Sequence, residues 1–357
     1  MKRIAHLRRL VRLEEARPDL PSHSLFHAGP PFRGPPSAAV LTAAAQAAVI
    51  GGFVPSTADA RERIAAGAIV LRPAQDFGLA APLAQVVAPS MWCFEVGDDA
   101  HRAYSPVSEG PPPALRFGSN DPGCIERARD WCSRAAEAIN PLLAQVPDPE
   151  SLMRAALERG DDCHALTAGG NTLFVDSLEG LAPAIRADLC ANPSFVLGIW
   201  MAWSAWRLQT SESQIRAIGG NGNEFGCRLR GESGWRVETA RPPVGRYFRP
   251  ELASQSLGAI GDSALVDICG FGGQALRHAP ALREEWAEVL PADVLARRER
   301  IVDGVTGLVD LDRIRASGTE PLIHLAILDR AGGGGPIGRG FYCPPITLFN
   351  KETKAWN

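Results

Sequence analysis

The segment Gly160-Asp161-Asp162-Cys163-His164 sets two carboxylates within four residues of a histidine. That grouping can move a proton near neutral pH, because a carboxylate beside an imidazole raises its basicity and fixes its tautomer. Asp162 and His164 are therefore candidate catalytic groups, with a capped, solvated helix end as the alternative. A third candidate is Asp262 in Gly261-Asp262-Ser263-Ala264. Such a triplet before a helix either caps that helix or presents a carboxylate and a hydroxyl to a substrate. No clear G-x-S-x-G elbow frames a serine nucleophile, so Ser263 is grouped with the binding residues.

Anion recognition has its own candidates. His27 and Arg33 flank the Gly-Pro-Pro turn of Phe26-His27-Ala28-Gly29-Pro30-Pro31-Phe32-Arg33, ahead of an expected helix. That turn either merely starts the helix or holds an anion against its N–H groups. Arg116 and Asn120 lie in RFGSNDP and suit a small amide or carboxylate, while Ser119 or Asp121 can serve there simply as a cap. Asn221, Gly222 and Glu224 belong to GGNGNEFG at 219–226, which either cradles phosphate with backbone N–H groups or turns the chain where φ is positive. A dinucleotide fingerprint is disfavoured, because the loop leads into a strand and Phe225 stands at the third glycine position. Gly272 and Gly273, in GFGG, allow close backbone packing, and His324 reads as a satisfied core histidine in the apolar strand 322–328.

Composition narrows the chemistry further. Lysine occurs only at positions 2, 351 and 354, which excludes a Schiff-base or P-loop lysine from the body and leaves anions to arginine and backbone. The eight cysteines include no C-x-x-C pair, and no paired metal-ligand spacing occurs, so neither metal nor cofactor is expected. A formal net charge of -3, with no basic block interleaved with aromatics, argues against nucleic acid as a partner. No apolar run reaches membrane-spanning length, and the N-terminus lacks the unbroken apolar region of a secretory signal. A reduced, cytoplasmic protein acting on a small molecule is expected, and homo-oligomerisation with it.

The elements that must position these residues follow from periodicity. Leu7, Leu10, Val11 and Leu13 fit one face of a docking helix. Residues 37–54 form a helix, and Ser56 or Thr57 caps the next. Short strands follow near 68–71, 86–88, 92–95 and 115–117. From Asp121 the pattern is helical through four segments, the last of which, PSFVLGIWMAWSAWRLQ, is apolar almost all round and should be buried. From Ser213 strands return, with a hairpin at 227–238. With 357 residues and 45% hydrophobic content the chain divides into an N-terminal mixed α/β unit at 1–120, a helical subdomain at 121–210 and an α+β unit at 211–357. The fold class is α+β, two mixed α/β units with a helical subdomain between them.

The order of these motifs resembles the AllG/YlbE family of bacterial proteins. The matching stretches are HAGPP at 27–31, APSM at 88–91, LRFGSNDP at 115–122, GDDCH at 160–164, NGNEFG at 221–226, PVGRYF at 243–248, IGDSAL at 260–265, GFGG at 270–273 and GPIGRGFYCPP at 335–345. HAGPP begins at residue 27 and LRPAQDFG stands ahead of APSM, so a diverged member lacking the family's N-terminal segment is expected. The resemblance implies a subunit of an oxamate carbamoyltransferase. In that reaction phosphate attacks the ureido carbonyl of oxalurate to give oxamate and carbamoyl phosphate, or the reverse. It also implies partner subunits, so a non-catalytic structural or regulatory subunit stands as the alternative to a carbamoyl- or acyl-transfer enzyme. Arg116, Asn120, Asn221, Asp262 and His164 in one pocket favour the enzyme, and their dispersal favours the subunit.

Overall fold

Helix Leu197–Thr210 is buried on nearly every side, as its all-round apolar sequence requires. Gly198 lets it lie directly on strand Trp92–Gly97, since a Cβ there would stand 2.8 Å from the Phe94 ring. Each fully buried Trp or Phe at this contact contributes about 1.5–3 kcal/mol of burial free energy. The computed structural model describes residues 3–350 and 352–356, and its helices and small sheets form an α+β fold.

Four sheets are formed among the described residues, and strands Trp92–Gly97, Arg102–Pro106 and Ile215–Asn221 from two of them pack on this helix. Strand Trp92–Gly97 runs antiparallel to both His6–Arg12 and Arg102–Pro106. Ser24–His27 lies between Val70–Pro73, which is parallel to it, and Val86–Val87, which is antiparallel. The third sheet orders Ile260–Gly261, Ile215–Asn221, Glu224–Leu229 and Arg236–Thr239, and the fourth orders Val244–Tyr247, Pro336–Tyr342 and Ile323–Leu328, all antiparallel. The larger buried cluster draws Leu10, Trp200, Ile218 and Phe349 together from remote parts of the chain, and the second gathers Val11, Phe26, Ala44 and Val87.

Several local expectations meet the structure directly. Helix Ala38–Ile50 occupies the alanine-rich stretch, and the Ser56 side chain accepts the Asp59 N–H as the cap of helix Thr57–Ala65. Others do not. The expected N-terminal docking helix is strand His6–Arg12 followed by a single helical turn, Leu13–Ala16. Leu7 and Leu10 enter the larger cluster while Val11 and Leu13 enter the other, and a bulge interrupts the register between Leu7 and Arg9. A bulged strand buried on both faces therefore mimics helical spacing. Leu115–Phe117 is a tight 3-10 turn instead of a strand, ended by Gly118 at φ 69°, where a Cβ would strike Ala39 at 2.9 Å. The segment 174–190 is split into Ala168–Ser177 and Pro183–Ala191 by Gly180, at φ 83°, and Pro183. Among the described residues no helix is long and apolar enough to cross a membrane.

Candidate functional site

Asp162 and His164 stand on the turn that follows helix Pro149–Leu157, with Cys163 between them at φ 69°. Asp162 closes that turn with its own carboxylate. Its Oδ1 accepts the backbone N–H groups of Leu166 at 2.7 Å and His164 at 3.2 Å, and its Oδ2 accepts that of Ala165 at 3.2 Å. The same Oδ2 lies 2.5 Å from Nδ1 of His324 on strand Ile323–Leu328. The His164 ring reaches elsewhere, placing Nδ1 2.7 Å from Oδ2 of Asp267 on the short helix Ala264–Ile268.

Asp267 is fixed by the glycine turn after it. Its Oδ1 accepts from the backbone N–H of Gly273 at 2.7 Å and of His324 at 3.2 Å. A Cβ on Gly272 would fall 2.1 Å from that Oδ1, and one on Gly273 would fall 2.1 Å from the Leu322 carbonyl oxygen. Only glycine lets the turn close over the carboxylate. Two interlocked Asp–His pairs result, with ring centroids 6.2 Å apart.

Electrostatics distinguishes the members. Burial by itself depresses the basicity of His164, but the Asp267 carboxylate outweighs it and the imidazole pKa lies above its ordinary value. Burial likewise pushes Asp162 up, and His324 together with the Leu166 N–H and His164 holds it below the usual carboxylate range. Asp162 is thus an ionised buried anchor, and His164 is a basic imidazole oriented by Asp267.

His164 also borders open space. It lines a cavity of about 140 Å³ whose wall includes Arg116, Ser194, Ser263, Ala326 and Arg339. Arg116 is buried, donates from Nη1 to Ser108 Oγ at 2.5 Å and the Gly110 carbonyl at 2.7 Å, and lies over the Phe117 ring at 4.7 Å. Burial lowers its pKa and raises that of nearby Glu109, and each partner opposes the shift of the other. Arg339 pairs with Glu285 through Nε and Oε1 at 2.8 Å. Ser263 Oγ is buried with no hydrogen-bond partner among the described residues. A proton carrier, two guanidiniums and an unused hydroxyl on one small cavity can bind an anionic amide and shuttle a proton to or from its nitrogen. Among the described residues no group of three or more His, Cys, Asp or Glu is placed to hold a metal ion.

The family model described as oxamate carbamoyltransferase subunit AllG matches residues 69–263, which include Arg116, the Asp162–His164 turn and Ser263. The chain belongs to the AllG family. Among relatives, the uncharacterized protein YahG of Escherichia coli (strain K12) is 26% identical over 377 residues, covering 95% of this chain and 80% of that protein. The oxamate carbamoyltransferase subunit AllG of the same organism is 25% identical over 382 residues, covering 93% and 88%. The fold is that of a conserved protein of unknown function from Enterococcus faecalis V583, with a TM-score of 0.86 at 24% identity over 98% of this chain and 93% of that one.

In this AllG-family chain the sequence-selected residues fall into four places. Arg116, His164 and Ser263 line the cavity, and Asp162, Gly272 and Gly273 support the paired histidines. His27, Asn221, Gly222, Glu224 and Asp262 belong to a buried joint where HAGPP, the glycine-asparagine loop and IGDSAL meet. There Asp262 caps no helix through its side chain, since Ser263 is the cap residue. Its Oδ1 accepts from the Gly29 N–H at 2.8 Å and Gln75 Nε2 at 2.6 Å, and its Oδ2 accepts from the Ala81 N–H at 2.9 Å. Asn221 donates to the Pro30 carbonyl at 2.9 Å, and its Oδ1 accepts from Glu224 N at 2.7 Å. A Cβ on Gly29 would stand 2.4 Å from the Gly220 carbonyl carbon, so the glycines there let two backbones touch. The buried His27 is pushed down to about 4 by desolvation. Arg33 lies outside on the surface against Trp356, and the exposed Asn120 lines a different hollow, beside Gln46 and Arg61.

Asp267, His324 and Arg339 were missed as site candidates. Asp267 had a readable signal, as the single acid in the apolar run ALVDICGF, because an acid in an apolar helix needs a partner. Arg339 lies inside GPIGRGFYCPP, where nothing local announces that it faces a cavity.

Proposed function

We propose that the His164–Asp267 cavity performs carbamoyl or related acyl transfer on a small ureido or amide acid, as part of an assembly with partner subunits. The supporting observation is the basic, Asp267-oriented imidazole on a cavity that Arg116 and Arg339 also line. Oxamate and carbamoyl phosphate illustrate the chemistry. The amide nitrogen of oxamate attacks the carbamoyl carbon, the C–N bond forms, the C–O bond to phosphate breaks, and His164 removes the proton from nitrogen. In the opposite direction His164, protonated, returns that proton to the departing amide while phosphate attacks the ureido carbonyl. Arg116 and Arg339 hold the carboxylate and the phosphoryl group, and Ser263 Oγ donates to the substrate carbonyl.

The E. coli relative named as a carbamoyltransferase subunit supports both the reaction class and the partners. A non-catalytic role has support of its own in the dispersal of Asn120, Asn221 and Asp262 away from the cavity that Arg116 and His164 line, in the small volume of that cavity and in the pairing of Arg339 with Glu285. Calorimetry with oxamate, oxalurate, carbamoyl phosphate and phosphate tests the reading. Binding of at least one acid that is lost in Arg116→Gln is expected, together with product formation that is lost in His164→Asn. Absence of binding by all four ligands removes the proposal, and binding without product in the reconstituted assembly selects the non-catalytic subunit.

A further inference from the structure

Residues 269–271, just beyond Asp267, line a second and larger cleft of about 630 Å³ that shares no lining residue with the His164 cavity. Its charged lining is four arginines, Arg3, Arg154, Arg207 and Arg298, against one carboxylate, Glu150. Glu150 already pairs with Arg154 at 2.7 Å, and Arg3 with Asp98 outside the cleft at 3.4 Å. Among the described residues Arg207 donates only to the Thr306 carbonyl at 3.4 Å, and Arg298 donates to the carbonyls of Gly270 at 2.7 Å and Gln274 at 3.0 Å. Among the described residues neither has a carboxylate within 4.0 Å. Two half-buried guanidiniums without a counter-ion are costly unless an anion completes them.

We infer that this cleft is a binding site for a small organic molecule bearing a phosphate or diphosphate group. Guanidiniums match phosphate oxygens with paired N–H donors, and the two that no carboxylate pairs, Arg207 and Arg298, call for more than a single negative charge. The volume falls in the range of about 300–1,000 Å³ typical of small-molecule sites, well above what an inorganic ion needs. Burial, with Arg277 and Arg154 nearby, lowers the pKa of Arg298 and outweighs the opposing pull of Glu299. Arg298 also grips both ends of the segment Gly270–Gln274 that closes over Asp267, so a ligand on Arg298 tightens the turn that positions the His164 pair.

The probe is inorganic pyrophosphate, titrated calorimetrically into the full chain, with citrate as the non-phosphate polyanion. One equivalent is expected to bind, with affinity weakened about tenfold or more in Arg207→Gln, as for loss of a charge-assisted contact. Arg298→Gln should do the same, and because Arg298 also braces the backbone, Arg207→Gln is the decisive variant. Hydrogen exchange at residues 270–274 should slow when pyrophosphate binds. Arg116→Gln should leave this binding unchanged even if the acyl-transfer reading fails, because Arg116 lines the other cavity. No binding, binding equal in Arg207→Gln, binding lost in Arg116→Gln, or citrate binding as tightly as pyrophosphate would each overturn the assignment.

Discussion

His164 and His324 exchange aspartates. Each ring hydrogen-bonds the carboxylate that also accepts the other residue's backbone N–H: His164 Nδ1 to Asp267 and its N–H to Asp162, His324 Nδ1 to Asp162 and its N–H to Asp267. Neither aspartate can move without disturbing both histidines. The cross-tie joins a turn after a helix to a short helix and a strand, each more than a hundred residues further along the chain, and it fixes the imidazole that borders the cavity.

Asp267→Asn should therefore lower the pKa of His164, since the raised value depends on the Asp267 carboxylate. The amide oxygen can still accept from Gly273 and His324, so the fold should survive. Histidine ring titration by NMR is the check. If His164 is the proton carrier, turnover falls by about 10²–10⁴. An unchanged His164 titration would show that Asp267 does not control it.

Asp162→Ala should be far more damaging to stability. It leaves His324 buried without its carboxylate and strips the acceptor from three backbone N–H groups, a loss of about 3–5 kcal/mol. The pH dependence has a definite sign. Because the folded pKa of Asp162 is depressed, its contribution is present above the ordinary carboxylate value and disappears as pH falls through the lower folded one. His164, raised in the folded state, contributes fully below its ordinary value and loses that contribution as pH rises through the higher one. Urea melts across pH should show both limbs in the parent and no Asp162 acid limb in the variant.

Much of this scaffold is legible in sequence wherever one local rule decides. Ser56 caps its helix, the glycine-asparagine loop turns into a strand, and Leu197–Thr210 is buried because no face of it is polar. The GDDCH turn is legible as a grouping of carboxylates and a histidine. What is not legible is the pairing, because Asp162 with His324 and His164 with Asp267 are contacts across 162 and 103 residues. Asp262 and Asn221 sit in equally recognisable motifs, yet the structure uses them to bind backbone N–H and C=O groups at a buried joint. A motif can mark a necessary backbone approach as readily as a site.

Gly272→Ala should uncouple the pair from the fold. Its φ of 54° suits glycine, and the new Cβ would stand 2.1 Å from Asp267 Oδ1, so the carboxylate must leave the Gly273 N–H or His164. Strain in such a left-handed position costs about 1 kcal/mol or more, and the displaced carboxylate adds to it. A lower melting temperature and a lowered His164 pKa should appear together. A lower melting temperature alone would place the strain elsewhere.

Asp262→Asn is expected to destabilise the chain, although Asn keeps the shape of Asp. All the hydrogen bonds to this carboxylate come from donors, Gly29 N–H and Gln75 Nε2 on one oxygen and Ala81 N–H on the other. An amide must turn its NH₂ toward one of these sides, setting donor against donor in a buried joint, at a cost of about 1–3 kcal/mol. Burial opposes the three donors and pushes the Asp262 pKa up to about 7. A folded pKa raised above the unfolded one means a contribution to stability that is complete below the ordinary carboxylate value and is lost as pH rises through about 7. Asparagine cannot titrate, so the cost of the variant should be larger at pH 5 than at pH 8. Chemical denaturation of parent and variant at the two pH values measures it. A cost that stays level would mean that the three donors keep the carboxylate ionised throughout, and no cost at either pH would mean that Asp262 does not hold the joint together.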